Sequence, residues 1–331
     1  MSADADDTYP WLVADIGGTN ARFGLVRDDG DAVTDVRSVR CAEFPDPAAA
    51  ARSYLDALAA GGQRLQPRYA AFALAGAVDA EPVKLTNSPW LISRAEGTRA
   101  LGVKRLVLLN DFEALALALP RLGAGDIAPI GTGTTDPQRT MAVTGPGTGL
   151  GVGICVPVAA RRWMAVAAEG GHVTAAPADD FESDVLRVIR AQYPHVSAER
   201  VLSGIGLPLL HRAVSQVRGR PQQTLTAEEI STHARGGDAD CAATLDTFCA
   251  MLGTFAGNLA LICGARGGVF IAGGIAQKLQ DILQRSRFRE RFEAKGRFAG
   301  YLQGIATALI TAPHSALLGA AQGIENGLGG G

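Results

Sequence analysis

Two short apolar segments flank a polar, glycine-rich turn near the start of the chain, and this pattern occurs a second time further on. In WLVADIGGTNARFGLV, residues 12–16 and 21–26 predict two strands joined by a tight turn at residues 17–20. In TMAVTGPGTGLGVGICVPV, residues 141–144 and 152–158 predict a second strand–turn–strand unit. The recurrence predicts a fold built from a duplicated unit.

The remaining pattern predicts strands and helices in the first half and mostly helices in the second. Residues 69–78 and 105–110 are almost continuously apolar, as in strands buried on both faces of a sheet. The segment PDPAAAARSYLDALAAGG predicts a helix that begins after two prolines and ends at a glycine pair. Helical spacing of apolar residues recurs in FESDVLRVIRAQY, TLDTFCAMLGTFAGNLALICG, GIAQKLQDILQ and residues 314–328, with one short strand at residues 269–272. The sequence therefore predicts an α/β protein.

Length and charge narrow the classes of function. A chain of 331 residues is long for one hydrophobic core and predicts two domains. Lys and Arg number 31 against 33 for Asp and Glu, so no net positive charge favours a nucleic acid or an anionic membrane, and a small-molecule ligand is expected. The acidic N-terminal sequence lacks the pattern of a secretory signal, and no segment has the ~20 apolar residues of a membrane span, so a cytoplasmic protein is expected. The five cysteines show no C-x-x-C spacing and are expected to be reduced thiols.

The predicted turns combine a carboxylate with accessible backbone, which suits a bound phosphate. Asp15 stands near the end of the first strand, and the glycines of both turns leave backbone N–H groups open to a metal-bound polyphosphate. A third glycine pair, Gly273 and Gly274, follows the strand at residues 269–272 and opens a helix. Neither G-x-x-x-x-G-K-[ST] nor G-x-G-x-x-G occurs at these turns. Each turn taken alone also fits a purely structural role.

Four further polar residues fit the recognition of a sugar, and each also has a structural explanation. Asp111 follows a predicted buried strand and suits a general base for a hydroxyl group, although Asn or Asp at such a place often caps a helix. Glu169 and His172 flank two glycines, which lets both polar groups face one small ligand; an ordinary turn histidine is the alternative. Glu199 lies in the first turn of a predicted helix, where an acid also complements the helix dipole.

A set of motifs together carries a resemblance to a known family. They are DIGGTNARFGL, LTNSPW, LLNDFEALALALP, GPGTGLGVG, EGGHV, HVSAERVLSG and GGVFIAGGI, and they extend over nearly the whole chain. In this order they resemble the bacterial glucokinases of the hexokinase-like group, within the superfamily of sugar kinases, actin and heat-shock chaperone ATPases. The cysteines do not reproduce the zinc motif of the repressor-ORF-kinase relatives.

The resemblance implies a fold and an activity. The fold is the two-lobed, actin-like (ribonuclease H-like) ATPase fold with a duplicated core, and a cleft separates a small α/β lobe of residues 1–121 and 312–331 from a larger α+β lobe of residues 122–311. The activity is the ATP-dependent phosphorylation of D-glucose at its 6-hydroxyl with Mg²⁺, in a cytoplasmic homodimer that binds neither nucleic acid nor membrane. The alternatives are a kinase for mannose, fructose or N-acetylglucosamine, and a non-catalytic nucleotide- or sugar-binding regulator.

The resemblance also implies a role for each site residue. Asp111 is the catalytic base, and the sugar is bound by Asn110, Asp111, Glu169, His172 and Glu199. ATP is bound by Asp15, Gly17, Gly18, Thr19 and Asn20 in the first turn, by Gly147, Thr148 and Gly149 in the second, and by Gly273 and Gly274 on the adenosine side. Asp15 orients Mg²⁺ through water.

Overall fold

The computed structural model describes residues 9–28, 32–85 and 88–328. Thr86 and Asn87 of the LTNSPW motif and most of the acidic N-terminal sequence lie outside these described residues. The strands are β1 (Trp11–Ile16), β2 (Asn20–Val26), β3 (Val33–Arg40), β4 (Tyr69–Leu74), β5 (Val83–Lys84), β6 (Leu91–Ile92), β7 (Arg105–Asn110), β8 (Ile127–Pro129), β9 (Met141–Pro146), β10 (Leu150–Ala159), β11 (Arg162–Ala168), β12 (Gly268–Ile271) and β13 (Thr307–Ile310).

The helices are α1 (Pro47–Ala60), α2 (Arg94–Leu101), α3 (Asp111–Ala118), α4 (Asp180–Arg190), α5 (Ala198–Val201), α6 (Gly206–Val217), α7 (Ala227–Arg235), α8 (Ala239–Cys263), α9 (Gly274–Lys278), α10 (Gln280–Arg285), α11 (Phe288–Glu293), α12 (Ala299–Gln303) and α13 (Ser315–Leu328). Single turns of 3-10 helix span Cys41–Glu43, Leu119–Arg121, Gly170–His172 and Gly296–Phe298.

The first of two compact units comprises Met1–Arg121, Val158–Val166 and Pro313–Gly331. Its sheet has the order β3-β2-β1-β4-β7, in which β1 is antiparallel to β2 and parallel to β4, and β4 is parallel to β7. Alternate residues of β1 face opposite sides, so that Leu12 lies in a core with α1 and Val13 lies in a core with α13. Helices therefore cover both faces of this sheet, as is usual for parallel strands.

The second unit comprises Leu122–Pro157 and Ala167–Ala312. In the six-stranded sheet, which has the order β11-β10-β9-β12-β13-β8, the strands β8, β9, β12 and β13 lie wholly in this unit. In it, β9 is antiparallel to β10 and parallel to β12, and β12 is parallel to β13. This repeats the order and strand directions around β1 in the first sheet. The predicted α/β class and duplicated core are confirmed.

Helix α8 is the longest helix of the second unit and its central core element. By length and composition alone it is apolar enough to cross a membrane, but 78% of its most apolar stretch is buried inside the protein. Leu245, Phe248 and Leu252 lie in one core cluster with residues of β9, β12 and several surrounding helices. That degree of burial is typical of a core helix in a globular unit.

Residues 158–166 belong to the first unit, and Trp163 and Ala165 pack against a cluster that contains Leu109 and Leu117. The lobe bounds implied by the resemblance stay a prediction. One predicted helix differs in the structure. The segment GIAQKLQDILQ forms two short helices, α9 and α10, because the backbone of Leu279 leaves the helical region at φ −102° and ψ 15°.

Candidate active site

In the first unit, the ends of three neighbouring strands bring two carboxylates to one edge of the sheet. The parallel register pairs Ile16 of β1 with Leu74 of β4, and Leu74 with Asn110 of β7. Asp15 and Asp111 flank the ends of β1 and β7 and are close enough for the negative charge of Asp15 to raise the pKa of Asp111. Asp15, which is predicted to bind ATP, and Asp111, which is predicted to bind the sugar, thus lie at the same edge of the sheet.

The backbone around Asn110 and Asp111 is fixed by a capping box. The Asn110 side chain accepts hydrogen bonds from the backbone N–H groups of Phe112 and Glu113, and the Glu113 carboxylate accepts one from the N–H of Asn110 at 3.1 Å. Asn110 Nδ2 also donates to the carbonyl of Gly76 at 3.0 Å. The N-cap of α3 is therefore Asn110, and the alternative that Asp111 serves as this cap is wrong. Asp111 is the first residue of the helix.

Asp111 is a half-buried carboxyl group whose pKa is raised toward neutral pH. Burial raises its pKa to about 6, although the N–H of Phe112, which donates to Asp111 Oδ1 at 3.0 Å, acts in the opposite direction. A carboxylate with this pKa is ionised at pH 7 and is a stronger base than an ordinary aspartate. These are the properties that a general base for a hydroxyl group requires.

Asp15 is paired across the hairpin with Arg22. The antiparallel register places the two residues opposite each other, and Arg22 Nη1 donates to Asp15 Oδ2 at 3.0 Å. The turn that follows has an exposed Thr19, and the N–H groups of Gly18 and Thr19 donate to no backbone acceptor among the residues described. These free donors suit a phosphate group.

A magnesium ion fits this edge through Asp15. Protein-bound Mg²⁺ usually keeps several waters and takes one or two carboxylates together with substrate phosphates. Asp15 has one carboxylate oxygen that is not engaged by Arg22, and within the described chain no group of three or more His, Cys, Asp or Glu side chains could hold a metal by itself. The donor set therefore suits a metal that arrives with a polyphosphate rather than a metal held by the protein alone.

In the second unit, three predicted site segments converge on one backbone residue, Leu150. The N–H of Leu150 donates to Glu199 Oε2 at 2.9 Å, and its carbonyl lies so close to Gly171 that a Cβ there would overlap with it. Gly149, the last residue of the second turn, packs directly against the Glu199 carboxylate. Leu150, the first residue of β10, thus contacts both Glu199 and the segment that carries Glu169.

Glu169 and His172 stand on either side of this close contact. The glycine pair between them forms a 3-10 turn on the surface of β10, where a Cβ at Gly170 would lie 2.8 Å from Val152. The two side chains are exposed, at 82% for Glu169 and 62% for His172, with His172 Nε2 3.8 Å from Glu169 Oε2. Their polar groups are exposed enough to bind a small molecule.

The Gly273–Gly274 pair lies beside the same turn. Gly273 has φ +89°, and a Cβ on it would lie 2.9 Å from the carbonyl carbon of Pro146, so this position needs glycine for its own packing. The carbonyl of Gly147 accepts a hydrogen bond from the N–H of Gly204 at 2.9 Å. The second unit therefore assembles Gly147, Thr148, Gly149, Glu169, His172, Glu199, Gly273 and Gly274 around one turn, while the first unit assembles Asp15, Gly17, Gly18, Thr19, Asn20, Asn110 and Asp111 at one sheet edge.

Comparison with known proteins supplies the family. The model of the glucokinase family matches residues 12–326. The chain belongs to the glucokinase family. A glucokinase of Paramagnetospirillum magneticum is 48% identical over 94% of this chain and 96% of its own length, and one of Aromatoleum aromaticum is 45% identical over 100% and 99%. The crystal structure of a glucokinase from an Antarctic psychrotroph is 38% identical, with a TM-score of 0.89 over 96% of this chain and 99% of that one.

Membership of the glucokinase family confirms the resemblance and the actin-like ATPase fold that the motifs predict. The individual ligand-binding roles, the use of Mg²⁺, the homodimer and the cytoplasmic location stay predictions. Sequence reasoning missed two residues of the first unit. Arg22 follows from the hairpin register once the turn at residues 17–20 is fixed, because it stands opposite Asp15. Glu113 follows from the N-x-x-E spacing that starts at Asn110, which is the signature of a capping box.

Proposed function

We propose that this glucokinase-family protein transfers the terminal phosphate of ATP to the 6-hydroxyl of D-glucose, with Asp111 as the general base. The observation that carries the proposal is the half-buried Asp111 carboxyl beside Asp15, whose pKa burial raises to about 6. The Asp111 carboxylate takes the proton of the 6-hydroxyl as its oxygen attacks the γ-phosphorus, and ADP leaves. The capping box holds Asp111 in place during this transfer.

The remaining predicted residues divide between the sugar and ATP. Asn110, Glu169, His172 and Glu199 bind the other hydroxyl groups, and the two glycine turns bind the phosphates through backbone N–H groups. The Asp15 carboxylate would hold Mg²⁺ through water, with Arg22 fixing the orientation of that carboxylate, and the bound ion would neutralise charge on the phosphates. The exposed carboxylate of Glu169 and imidazole of His172 support a role in binding rather than in structure.

The test is the Asp111→Asn variant, assayed by coupled detection of ADP in the presence of glucose. Asparagine keeps an acceptor for the N–H of Phe112 but cannot take the proton, so turnover should fall by ~10²- to 10⁴-fold while glucose binding is largely retained. Asp56→Asn on the exposed face of α1 is the matched control and should leave turnover unchanged. In the unsubstituted protein, kcat/KM for glucose should fall as the pH drops below about 6, because Asp111 is then protonated.

The same assay discriminates among the alternatives. Glucose, mannose, fructose and N-acetylglucosamine are compared with ATP as donor, and glucose should give the highest kcat/KM. Faster turnover of another sugar would assign that sugar as the substrate. An absence of ADP formation with every sugar would favour the non-catalytic regulator, and near-normal turnover in Asp111→Asn would mean that the base is another residue.

A further inference from the structure

The 3-10 turn Cys41–Glu43, which follows β3, packs against the first glycine turn and holds two of its carbonyl groups. The backbone N–H of Cys41 donates to the carbonyl of Thr19 at 2.9 Å, and the weaker donor Sγ–H of Cys41 donates to the carbonyl of Gly17 at 3.5 Å. Within the glycine turn, the N–H of Gly17 donates to the carbonyl of Asn20 at 3.0 Å. None of the roles proposed above uses Cys41.

The contact with the Cys41 thiol determines where one free N–H group of the glycine turn points. The carbonyl of Gly17 and the N–H of Gly18 belong to one planar, trans peptide unit, in which the two groups point in opposite directions. Because Cys41 Sγ holds that carbonyl, the N–H of Gly18 points away from Cys41. This N–H has no backbone acceptor among the residues described, so it remains available to a phosphate oxygen.

The Cys41 thiol is placed to remain a donor. Cys41 is 4% exposed, and burial raises the pKa of its thiol, so the sulfur keeps its proton at neutral pH. The 3-10 turn that carries it is fixed in turn by Trp90 of the LTNSPW motif, which is 1% exposed. Trp90 Nε1 donates to the carbonyl of Phe44 at 3.0 Å, and the N–H of Phe44 donates to the carbonyl of Cys41 at 3.2 Å. Cys41 and Trp90 belong to one core cluster.

We propose that Cys41 is a positioning residue for the first glycine turn: by holding the Gly17 carbonyl, its thiol aims the N–H of Gly18 at a phosphate group of ATP. Trp90 supports this arrangement by fixing the 3-10 turn. The inference rests on the proposed function, because it takes the first turn as a phosphate site. It extends that function to a buried residue that acts through the backbone of the turn, so its loss should weaken the binding of ATP and leave the binding of glucose unchanged.

The test measures nucleotide binding without turnover and then the kinetics. The affinity for Mg-AMPPNP, a nonhydrolysable ATP analogue, is measured by isothermal titration calorimetry, and KM is measured separately for ATP and for glucose. Cys41→Ala removes the donor and should raise the Kd for Mg-AMPPNP and the KM for ATP about three- to tenfold, as expected for the loss of one hydrogen bond. The KM for glucose at saturating ATP should not change. Cys41→Ser keeps a donor at this position and should restore most of the lost affinity.

Two further variants separate the position of the turn from the stability of the fold. Cys155→Ala is the matched control, because Cys155 is also a fully buried thiol with a pKa raised by burial, but it lies on β10. Both alanine variants remove a buried sulfur and should lower the thermal stability, whereas only Cys41→Ala should weaken the binding of Mg-AMPPNP. Trp90→Phe keeps an aromatic ring but removes the N–H that Phe44 accepts, and should weaken this binding by a smaller factor.

The outcomes separate this inference from the proposed function. Equal affinities for Mg-AMPPNP in Cys41→Ala and in an unsubstituted protein that phosphorylates glucose would overturn the positioning role alone. Weaker binding in Cys41→Ala and its recovery in Cys41→Ser, in a protein that phosphorylates no sugar, would support the positioning role and overturn the proposed function. A loss that Cys41→Ser does not restore, or an equal rise of KM for ATP and for glucose, would mean that the sulfur serves the packing of the unit rather than the turn.

Discussion

The two glycine turns look alike in sequence but need glycine for different reasons. A Cβ at Gly17 in the first turn would meet only the carbonyl of Asn20, at an ordinary contact distance of 3.6 Å. A Cβ at Gly149 in the second turn would overlap with the Glu199 carboxylate. A Cβ at position 149 therefore needs the Glu199 side chain to move, whereas a Cβ at position 17 displaces nothing. The reason for Gly17 has to be sought in what binds there.

The carboxylates of Glu199 in the second unit and Asp111 in the first unit also differ in their surroundings. Glu199 accepts a hydrogen bond from the N–H of Leu150 at 2.9 Å, so this charge has a backbone partner. Asp111 is half buried beside Asp15, and both the burial and the like charge raise its pKa. The ionised carboxylate of Asp111 therefore costs folding free energy, as is common for groups with a chemical task. Substitutions at the two sites should consequently change stability in opposite directions.

The largest effect on stability is expected for Gly273→Ala beside the second turn. The backbone of Gly273 has φ +89°, and the new Cβ would clash with the carbonyl group of Pro146, which is backbone and cannot rotate away. Backbone strain and overpacking together should cost about 3 kcal/mol or more. Thermal or urea unfolding measures this loss.

The neighbouring Gly274→Ala is the matched control for that variant. A Cβ at Gly274 meets nothing within 4 Å, and Gly274 is the first residue of α9. Its free energy of unfolding should stay within about 0.5 kcal/mol of the unsubstituted protein. Equal losses in the two variants would show that the clash with Pro146 is not the reason for glycine at position 273.

A smaller effect of opposite sign is expected for Asp111→Asn. The folded protein binds a proton at Asp111 more tightly than the unfolded chain does, since the pKa rises from 3.8 to about 6 on folding. The stability of the unsubstituted protein therefore falls as pH rises through this interval, and above about pH 6 the full cost of the charge is present. Asparagine removes the charge, so the variant should be more stable at pH 7 by about 1–2 kcal/mol, allowing for partial exposure.

Unfolding measured from pH 4 to pH 8 checks the sign of this effect. The stability difference between Asp111→Asn and the unsubstituted protein should be smallest near pH 4 and should increase up to about pH 6. Asp56→Asn, at an exposed position of α1, is the surface control and should keep the free energy of unfolding at pH 7 within about 0.5 kcal/mol of the unsubstituted protein. A variant that is less stable at pH 7 would contradict the assignment of Asp111 as a carboxylate destabilised by its surroundings.

The contrast between the units also explains what the sequence could and could not predict. Apolar segments of strand length were enough to predict both hairpins and the buried strand that ends at Asn110, because the burial of a strand is visible in its own local sequence. Residue type alone did not separate Asn110 from Asp111 as the N-cap of α3, since both types cap helices equally well; the N-x-x-E spacing from Asn110 to Glu113 is the signal that does. The convergence of Gly149, Gly171 and Glu199 on Leu150 joins segments far apart in the chain, and no local pattern records such packing.

The smallest effects on stability, and the most direct comparison of the two turns, are expected from Gly17→Ala and Gly149→Ala. Neither glycine has a positive φ, so alanine tests the space around each position rather than the backbone conformation. Gly149→Ala should lose about 1 kcal/mol, because the Glu199 carboxylate has to move and its hydrogen bond from Leu150 weakens.

Gly17→Ala should instead leave stability within about 0.5 kcal/mol while raising the KM for ATP about tenfold, because the new methyl group would stand in the turn to which we assign a phosphate, beside the N–H groups of Gly18 and Thr19. Chemical denaturation and steady-state kinetics on the same preparations separate the two effects. A Gly17→Ala variant that binds ATP normally but unfolds more readily would mean that both glycines serve the fold, and that the first turn is not a phosphate site.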